Sequence, residues 1–503
     1  MDADVLIIGS GAGGGTLARA LADSGLRILL LERGDYLPRE WGNWDPEVVF
    51  HAHRYHSREE WRNAAGGSFS PVLGYHVGGN TKFYGAAVLR RREKDFQARQ
   101  HRDGLTRSWP IAYADLAPYY DQAEAWYYTH GLAGVDPTEA PRSPYPYPPI
   151  PHEPAVAEVE AALQKMGHHP FPLPLAIHRL EDDPEHSPCV RCPTCDGFPC
   201  MLRAKGDAEM CGVRPALESP NVRLQTQHRV LRLLSSADGK RIEAVETEQG
   251  RFSARIVVLA AGAINSAAIL LASTNERHPQ GLANSSGQVG RNYMCHLNSA
   301  CMAFRFGQSV STVFQKTLAL NDFYDDSGDP DYPYPLGHIQ SLGKVTPAVL
   351  HAERPTLPLA MSAFAASHSV DWWLTTEDLP DPENRVTLDD DGTIRLRWEP
   401  KNRESHRRLC EKWRGLLRQM GFSLVLFQPM DVSATAHQVG TCRFGEDPGE
   451  DVLDPFCKAH DLDNLYVVDG SFMPSISAVN PSLTIMANAL RVAKHLRQRF
   501  RED

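Results

Sequence analysis

The sequence predicts an α/β fold with more than one domain. Three observations carry this expectation. The chain opens on a strand, a glycine-rich turn, a helix and a second strand, VLIIGSGAGGGTLARALADSGLRILLLERG from Val5 to Gly34. It ends on another apolar strand, a loop and an Ala/Leu-rich helix, NLYVVDGSFMPSISAVNPSLTIMANALRVAKHL from Asn464 to Leu496. Its 503 residues also exceed what one hydrophobic core usually organises.

Val5 to Ile8 is a short β-branched run of the kind that is buried on both faces of a parallel sheet. Gly9, Gly11 and Gly14 follow in the spacing G-x-G-x-x-G. The first glycine permits a tight turn, the second lets backbone approach a pyrophosphate, and the third lets helix pack on strand. Thr16 to Asp23 reads as the helix, ended by Ser24-Gly25, and its N-terminus offers free N–H groups to phosphates. Arg27 to Leu31 is the second strand. Glu32 at its end falls where a ribose hydroxyl needs an acceptor, about 20 residues past the glycines. The unit therefore predicts a bound dinucleotide. The carboxylate disfavours NADP, whose extra phosphate it would repel.

The formal net charge of −10 arises from mixed charges and excludes the pattern of a nucleic-acid binder. No run of about 18 apolar residues predicts a membrane span. A first strand at residue 5 leaves no room for a signal peptide, so the expected compartment is the cytoplasm, with the ten cysteines mostly thiols. PTEAPRSPYPYPPIPHEP, Pro137 to Pro154, reads as an extended connector. SREEWRNAAGGSFSPVLGYHVGGNTKFYG reads as loop. The acidic runs EDDPE (Glu181 to Glu185) and EDPGED (Glu446 to Asp451) read as solvated loops.

Near the C-terminus, Leu465 to Val468 is another buried strand, ended by Asp469-Gly470. Asn480-Pro481 then precedes a helix from about Ser482. Asn480 thus sits beside a second set of free N–H groups, where a carbonyl or developing anion would be stabilised.

These pieces resemble the glucose-methanol-choline (GMC) family of FAD-dependent oxidoreductases, in its bacterial sugar- and glycoside-oxidising branch. The resemblance is carried by the opening fingerprint, GYHVGGNTKFYGAAVLRRREKDF, WPIAYADLAPYYDQAE, VVLAAGAINSAAILLAS, VGRNYMCHLN, PDPENRVTL, TAHQVGTCRFG (Thr435 to Gly445) and the closing strand, loop and helix. It implies that the dinucleotide is FAD. It further implies a Rossmann-like FAD-binding domain made of residues 1–40, 71–99, 185–295 and 431–503. A discontinuous α+β substrate domain, an antiparallel sheet with helices, is implied for 41–70, 100–184 and 296–430.

The chemistry implied is hydride transfer from an alcohol carbon to flavin while the hydroxyl proton goes to a histidine, here His437, with Asn480 as its partner. An imidazole suits the task because its pKa lies near working pH. An amide adds a donor and an acceptor without competing for the proton. Among 21 histidines, His437 is distinguished by its motif. The cofactor contacts implied are Gly9, Gly11, Ala12, Gly14, Glu32 and Arg33; Gly78, Gly79, Asn80 and Thr81; Val230; Ala261 and Gly262; Asp469 and Gly470; and Asn480, Pro481 and Thr484. The expected substrate is a sugar, glycoside or aminoglycoside hydroxyl. A non-sugar alcohol, or a non-redox lyase on the same scaffold, is the alternative. The electron acceptor is oxygen or a separate carrier.

The chain departs from the family in three places. Members that tether FAD covalently use a histidine in the loop that here carries Phe83 and Tyr84, so non-covalent FAD is expected. Lys82 in that loop is unusual for the family, and the sequence gives no physical reason for it. CVRCPTCDGFPC holds Cys189, Cys192, Cys195 and Cys200 at a spacing compatible with zinc or an iron–sulfur cluster. The resemblance implies instead a metal-free segment near the flavin, followed by Ala204-Lys205, with the thiols clustered or joined in a disulfide. His296 reads as a structural histidine. Trp41, Trp44, Trp61, Trp372 and Trp373 read as core packing, with sugar stacking as the alternative.

Overall fold

The computed structural model describes all residues except Gln308, Thr435, Ala436 and Asp503. Five parallel strands run in the order Val222–Gln225, Ile28–Leu31, Ala3–Ile8, Ala254–Leu259 and Leu465–Val467. Apart from the edge strand Val222–Gln225, their side chains are almost wholly buried, which is what near-continuous apolar runs produce in a sheet covered on both faces. The two N-terminal strands and the strand at residue 465 fall where the sequence places them.

The first helix, Ala12–Leu21, begins earlier than the glycine run suggests. Gly13, Gly14 and Gly15 belong to its first turns because the helix is wedged against backbone. A Cβ at Gly13 would lie 2.1 Å from the Val468 carbonyl oxygen, and one at Gly14 would lie 2.0 Å from that of Gly9. This helix packs on the C-terminal helix Ser482–Glu502.

A six-stranded sheet forms the second layer, in the order Leu424–Pro429, Leu297–Phe304, Ser369–Thr376, His338–Ser341, Leu318–Leu320 and Phe171–Pro172. Its pairs are antiparallel. The helix Arg403–Gln419 buries Leu409, Trp413, Leu416 and Leu417 against one face of it. Successive strand residues point to opposite faces. Trp372 therefore meets Trp413, ring centroids 4.7 Å apart, whereas Trp373 lines the central cavity. Gln428, Ala300, Trp373 and Gln340 are paired neighbours across four strands and make one row along the cavity.

Core packing describes Trp61 and Trp372, both 1% exposed, but not Trp373, and not Trp41, which is 76% exposed. The connector from Pro137 has no regular element until the helix Pro154–Lys165. The stretch read as loop contains a short hairpin, Trp61–Asn63 with Ser68–Phe69, that adds to the strands Ile394–Arg397 and Arg385–Leu388. Asp451 is not solvated: it is 3% exposed and bonded to Arg443 at 3.1 Å. Among the described residues, no helix is long and apolar enough to cross a membrane.

One short pairing links the two layers. Met294–Cys295 runs antiparallel to Gln438–Val439, with Cys295 opposite Gln438. The next residue along one strand, His296, is thereby brought to the preceding residue of the other, His437.

Candidate active site

A cavity of about 1890 Å³ lies between the two sheets. That exceeds the roughly 300–1,000 Å³ of a pocket for one small ligand and leaves room for a cofactor and a substrate together. Its walls include Gly9, Gly11, Ala12, Glu32, Arg33, Gly79, Asn80, Thr81, Val230, Ala261, Gly262, Asp469, Gly470, His437, Asn480 and Pro481. The motifs thus converge on one site although they span the whole chain. Gly14, Gly78 and Thr484 are not in the wall. Gly14 packs on Gly9, Gly78 makes a turn at φ 97°, and the Thr484 hydroxyl lies 2.8 Å from that of Tyr120.

The cavity's glycine end fits a dinucleotide. Packing of the protein itself forbids a side chain at Gly9, where a Cβ would sit 2.4 Å from the Ala260 oxygen. It makes no such demand at Gly11, where the nearest atom would be 3.8 Å away; at Gly262 nothing lies within 4 Å, but the backbone, at φ 89°, itself favours glycine. Those two positions open on the cavity, at the start of helices Ala12–Leu21 and Ala263–Ala272. A third helix N-terminus carries Ser482, whose buried Oγ has no partner and which also lines the cavity. Free N–H groups at helix starts and an unpaired hydroxyl are what an anionic, oxygen-rich cofactor would satisfy.

Two carboxylates brace this end. Glu32 Oε2 accepts from Ser10 N–H at 3.0 Å and Ser10 Oγ at 2.6 Å, while Oε1 accepts from Gly34 N–H at 3.0 Å. Asp469 accepts four bonds, from Gly262 N–H, Ser266 Oγ, Ser471 N–H and Ser471 Oγ. It thereby ties two loops that line the cofactor end. Burial raises the Asp469 pKa, and its hydrogen bonds oppose that rise.

Lys82 acquires a physical account. It is 5% exposed and donates to Asp207 at 2.9 Å and Glu209 at 2.7 Å. The neighbouring Lys205 donates to the carbonyls of Cys195, Phe198 and Lys82. The two lysines fasten the cysteine-rich loop to the Gly78–Lys82 loop. Cys189, Cys192, Cys195 and Cys200 are free thiols, with no disulfide among them. No group of three or more His, Cys, Asp or Glu among the described residues is placed to hold a metal. Burial pushes the Cys189 thiol up to about 11 and the Cys195 thiol up to about 12, so neither is a ready thiolate.

His437 and Asn480 meet on the same cavity wall: Asn480 Nδ2 is 3.2 Å from His437 Nε2. The other ring nitrogen of His437 lies 2.9 Å from Nδ1 of His296, and His296 Nε2 lies 2.8 Å from the Ser477 carbonyl oxygen. Burial holds both imidazoles neutral. His437 is pushed down to about 4, by loss of solvent first and the Lys316 ammonium second, with Asp196 acting in the other direction. His296 is pushed well below the usual histidine range by burial and by its histidine neighbour.

The loop that supplies Ser477 and Asn480 is held from several sides. Arg91, itself 1% exposed, donates to the carbonyls of Ser475 and Ile476 at 3.0 and 2.9 Å. Trp109 Nε1 donates to Ser475 Oγ at 2.8 Å, and Ser477 N–H donates to Glu377 at 2.8 Å. Asn480 therefore sits on a braced turn directly ahead of the C-terminal helix. Of the described motif residues, His437 to Gly445 carry this geometry; Thr435 and Ala436 lie outside the described residues.

Residue patterns did not single out the ion pair Lys316–Asp196, 2.6 Å apart on the cavity wall near His437. Asp196 also accepts from Gly343 N–H at 3.1 Å. The pair is packed against two glycines: a Cβ at Gly85 would lie 1.9 Å from Lys316 Nζ and 2.0 Å from Asp196 Oδ1, and one at Gly343 would lie 2.7 Å from Asp196 Cβ.

The comparisons with known proteins agree with this arrangement. GMC oxidoreductase segments match residues 3–298 and 380–489. The chain is 33% identical to paromamine 6'-oxidase of Streptomyces fradiae, over 98% of this chain and 90% of that one. It is 32% identical to 6'''-hydroxyparomomycin C oxidase of Streptomyces lividus, over 99% and 92%. Its fold resembles pyridoxine 4-oxidase from Mesorbium loti, with a TM-score of 0.66 at 20% identity, covering 98% of this chain and 99% of that one. An N-terminal dinucleotide cradle, a facing His–Asn pair and family segments over most of the length lead to one conclusion: the chain belongs to the GMC oxidoreductases, FAD-dependent enzymes that oxidise CH–OH groups.

Proposed function

We propose that this chain oxidises a hydroxyl of a sugar, glycoside or aminoglycoside to a carbonyl, with His437 as general base and FAD held without a covalent bond. The observation that carries the proposal is the neutral His437 facing Asn480 in the cavity wall. Bound FAD supplies the acceptor for the hydride that leaves the substrate carbon. The substrate hydroxyl gives its proton to Nε2 of His437, and the C–O bond becomes double as the C–H bond breaks. The Asn480 amide orients the same oxygen. Positioned base catalysis of this kind contributes roughly 100- to 10,000-fold.

Gly9, Gly11, Ala12, Asn80, Thr81, Gly262, Asp469 and Ser482 are the residues that would hold FAD. Phe83 offers no nucleophile for a flavin tether. The Tyr84 hydroxyl is donated to the Gly206 carbonyl at 2.5 Å. The substrate end suits a hydroxylated ring: Trp373 gives an aromatic face, Gln340 and Gln428 give amides, and Asp196 and Lys316 give opposite charges. The names of the two Streptomyces relatives point to the same substrate class.

The test is an anaerobic titration of the purified yellow protein with paromamine, a methyl glycoside, glucose and a simple alcohol. Bleaching of the flavin band by the sugars and not by the simple alcohol supports the proposal. Bleaching only by simple alcohols overturns the substrate class, and no bleaching by any of them favours a lyase. Admitting air then separates oxygen from a dedicated carrier as acceptor.

A further inference from the structure

Resting on the assignment of His437 as base, we infer that His296 is a positioning residue that fixes which nitrogen of His437 carries the proton. The chain of hydrogen bonds begins at a group that can only accept. The Ser477 carbonyl oxygen lies 2.8 Å from His296 Nε2, so that nitrogen bears a hydrogen and donates it. His296 is 1% exposed and neutral, so its other nitrogen, Nδ1, is a lone pair. That lone pair lies 2.9 Å from His437 Nδ1, which must therefore carry the hydrogen between them. A neutral His437 protonated on Nδ1 has its lone pair on Nε2, the nitrogen beside Asn480. The Asn480 amide N–H donates to it in the resting site, and a substrate hydroxyl would take that place.

The alternative tautomer is penalised at two points. With the hydrogen on Nε2, His437 Nδ1 and His296 Nδ1 would oppose two lone pairs at a partly buried contact. His296 could relieve this only by turning its own hydrogen away from the Ser477 carbonyl, which would then lose its donor. The backbone is shaped to this arrangement. His437 and Ser477 are both non-glycine residues in the left-handed region, at φ 62° and 57°. Such conformations persist where surrounding contacts over-determine them. The strand pairing of Cys295 with Gln438 delivers the two histidines to each other, so the contact follows from the fold and not from chance proximity.

His296 thus plays the part that a carboxylate plays in hydrolase triads, with a difference. A neutral acceptor selects the tautomer without the charge that would raise the base's pKa strongly. Selection and basicity are separated, consistent with a base held at about 4.

The test uses the FAD-loaded enzyme with 15N-labelled histidine. The His437 ring signals are assigned by their loss in His437→Gln. The proton is expected on Nδ1 in the wild type. His296→Asn places an amide oxygen where Nδ1 of His296 lies and should keep the proton on His437 Nδ1. His296→Gln reproduces only the distant nitrogen that meets Ser477, and it should let the proton move to Nε2. The rate of flavin reduction at saturating alcohol, for whichever probe bleaches the flavin, should follow the same split. His296→Gln should be about 10- to 100-fold slow and His296→Asn within a few-fold of wild type, with little change in substrate affinity. A merely structural role would give the reverse order or equal effects, and either result overturns the inference, as does a wild-type proton on Nε2. If His437→Ala reduces flavin at the wild-type rate, the base assignment fails instead, whatever the tautomer.

Discussion

His437 is held in a left-handed backbone conformation at φ 62°, and its ring is cut off from most solvent. Both features would be costs in a residue that only packed. The consequence at this scale is an imidazole whose pKa is pushed down to about 4 and which, in the proposed role of His437, acts as the base. The neutral ring is the competent form, so activity is present above that pKa and lost as pH falls through it. The rate of flavin reduction should be flat from pH 8 to about 5 and decline below about 4, measured by rapid mixing under nitrogen. A rising limb centred near 6.5, where an unperturbed histidine titrates, would contradict this. His437 and Asn480 were legible in the sequence because each lies in a run of residues with a recognisable order. The role of His296 was not. It depends on two strands whose residues are 141 positions apart meeting in one register, and local pattern carries no information about that pairing.

Among the elements, the glycine-rich segments show how position decides meaning. Gly13 and Gly14 are glycine because backbone oxygens lie against them, and Gly262 because its backbone is held at φ 89°, whereas Gly11 is free on the protein side and opens on the cavity. Gly85 is of another kind: it makes room for the Lys316–Asp196 pair. Gly85→Ala should force that largely buried pair apart or displace it. We expect a loss of about 1–3 kcal/mol of stability from overpacking. Weaker substrate binding with FAD retained should accompany it, read by thermal unfolding and by anaerobic titration. Unchanged unfolding and unchanged binding would show that the pair is loosely seated. The first strand, turn and helix were readable because period and glycine spacing are local signals. The alternation that sends Trp372 into the core and Trp373 to the cavity was not, since it needs the register against Leu297–Phe304 and His338–Ser341.

For the molecule as a whole, several buried or half-buried histidines are neutral. His56, His406 and His437 are pushed down to about 4, His338 to about 3, and His296 well below its usual range, each chiefly by burial. Their folded pKa values lie below the unfolded value near 6.5. Between pH 6.5 and about 4 the unfolded chain therefore binds protons that the folded chain does not. Stability from these groups is complete above pH 6.5 and is lost progressively as pH falls toward 4. Asp378, raised to about 7 by burial, acts in the opposite direction, as do Asp95 and Asp469, also raised by burial, but these are three carboxyls against five histidines. The Tm of the FAD-loaded protein should fall steadily across this window, and a flat Tm from pH 6.5 to 4 would contradict it. At this scale the parallel sheet and its helices were foreseen from local runs. The six-stranded sheet was foreseen only as a class, because its pairings join residues as far apart as Phe171 and Ala319, and such pairings are fixed by the assembled core.

The measurement that tests the account most directly is single-turnover flavin reduction by wild-type enzyme and His437→Ala, under nitrogen, with an alcohol that bleaches the wild-type flavin. The variant should keep its FAD and visible spectrum and reduce it about 100- to 10,000-fold more slowly. Reduction at the wild-type rate would remove His437 as the base and, with it, the chemical reading of the site.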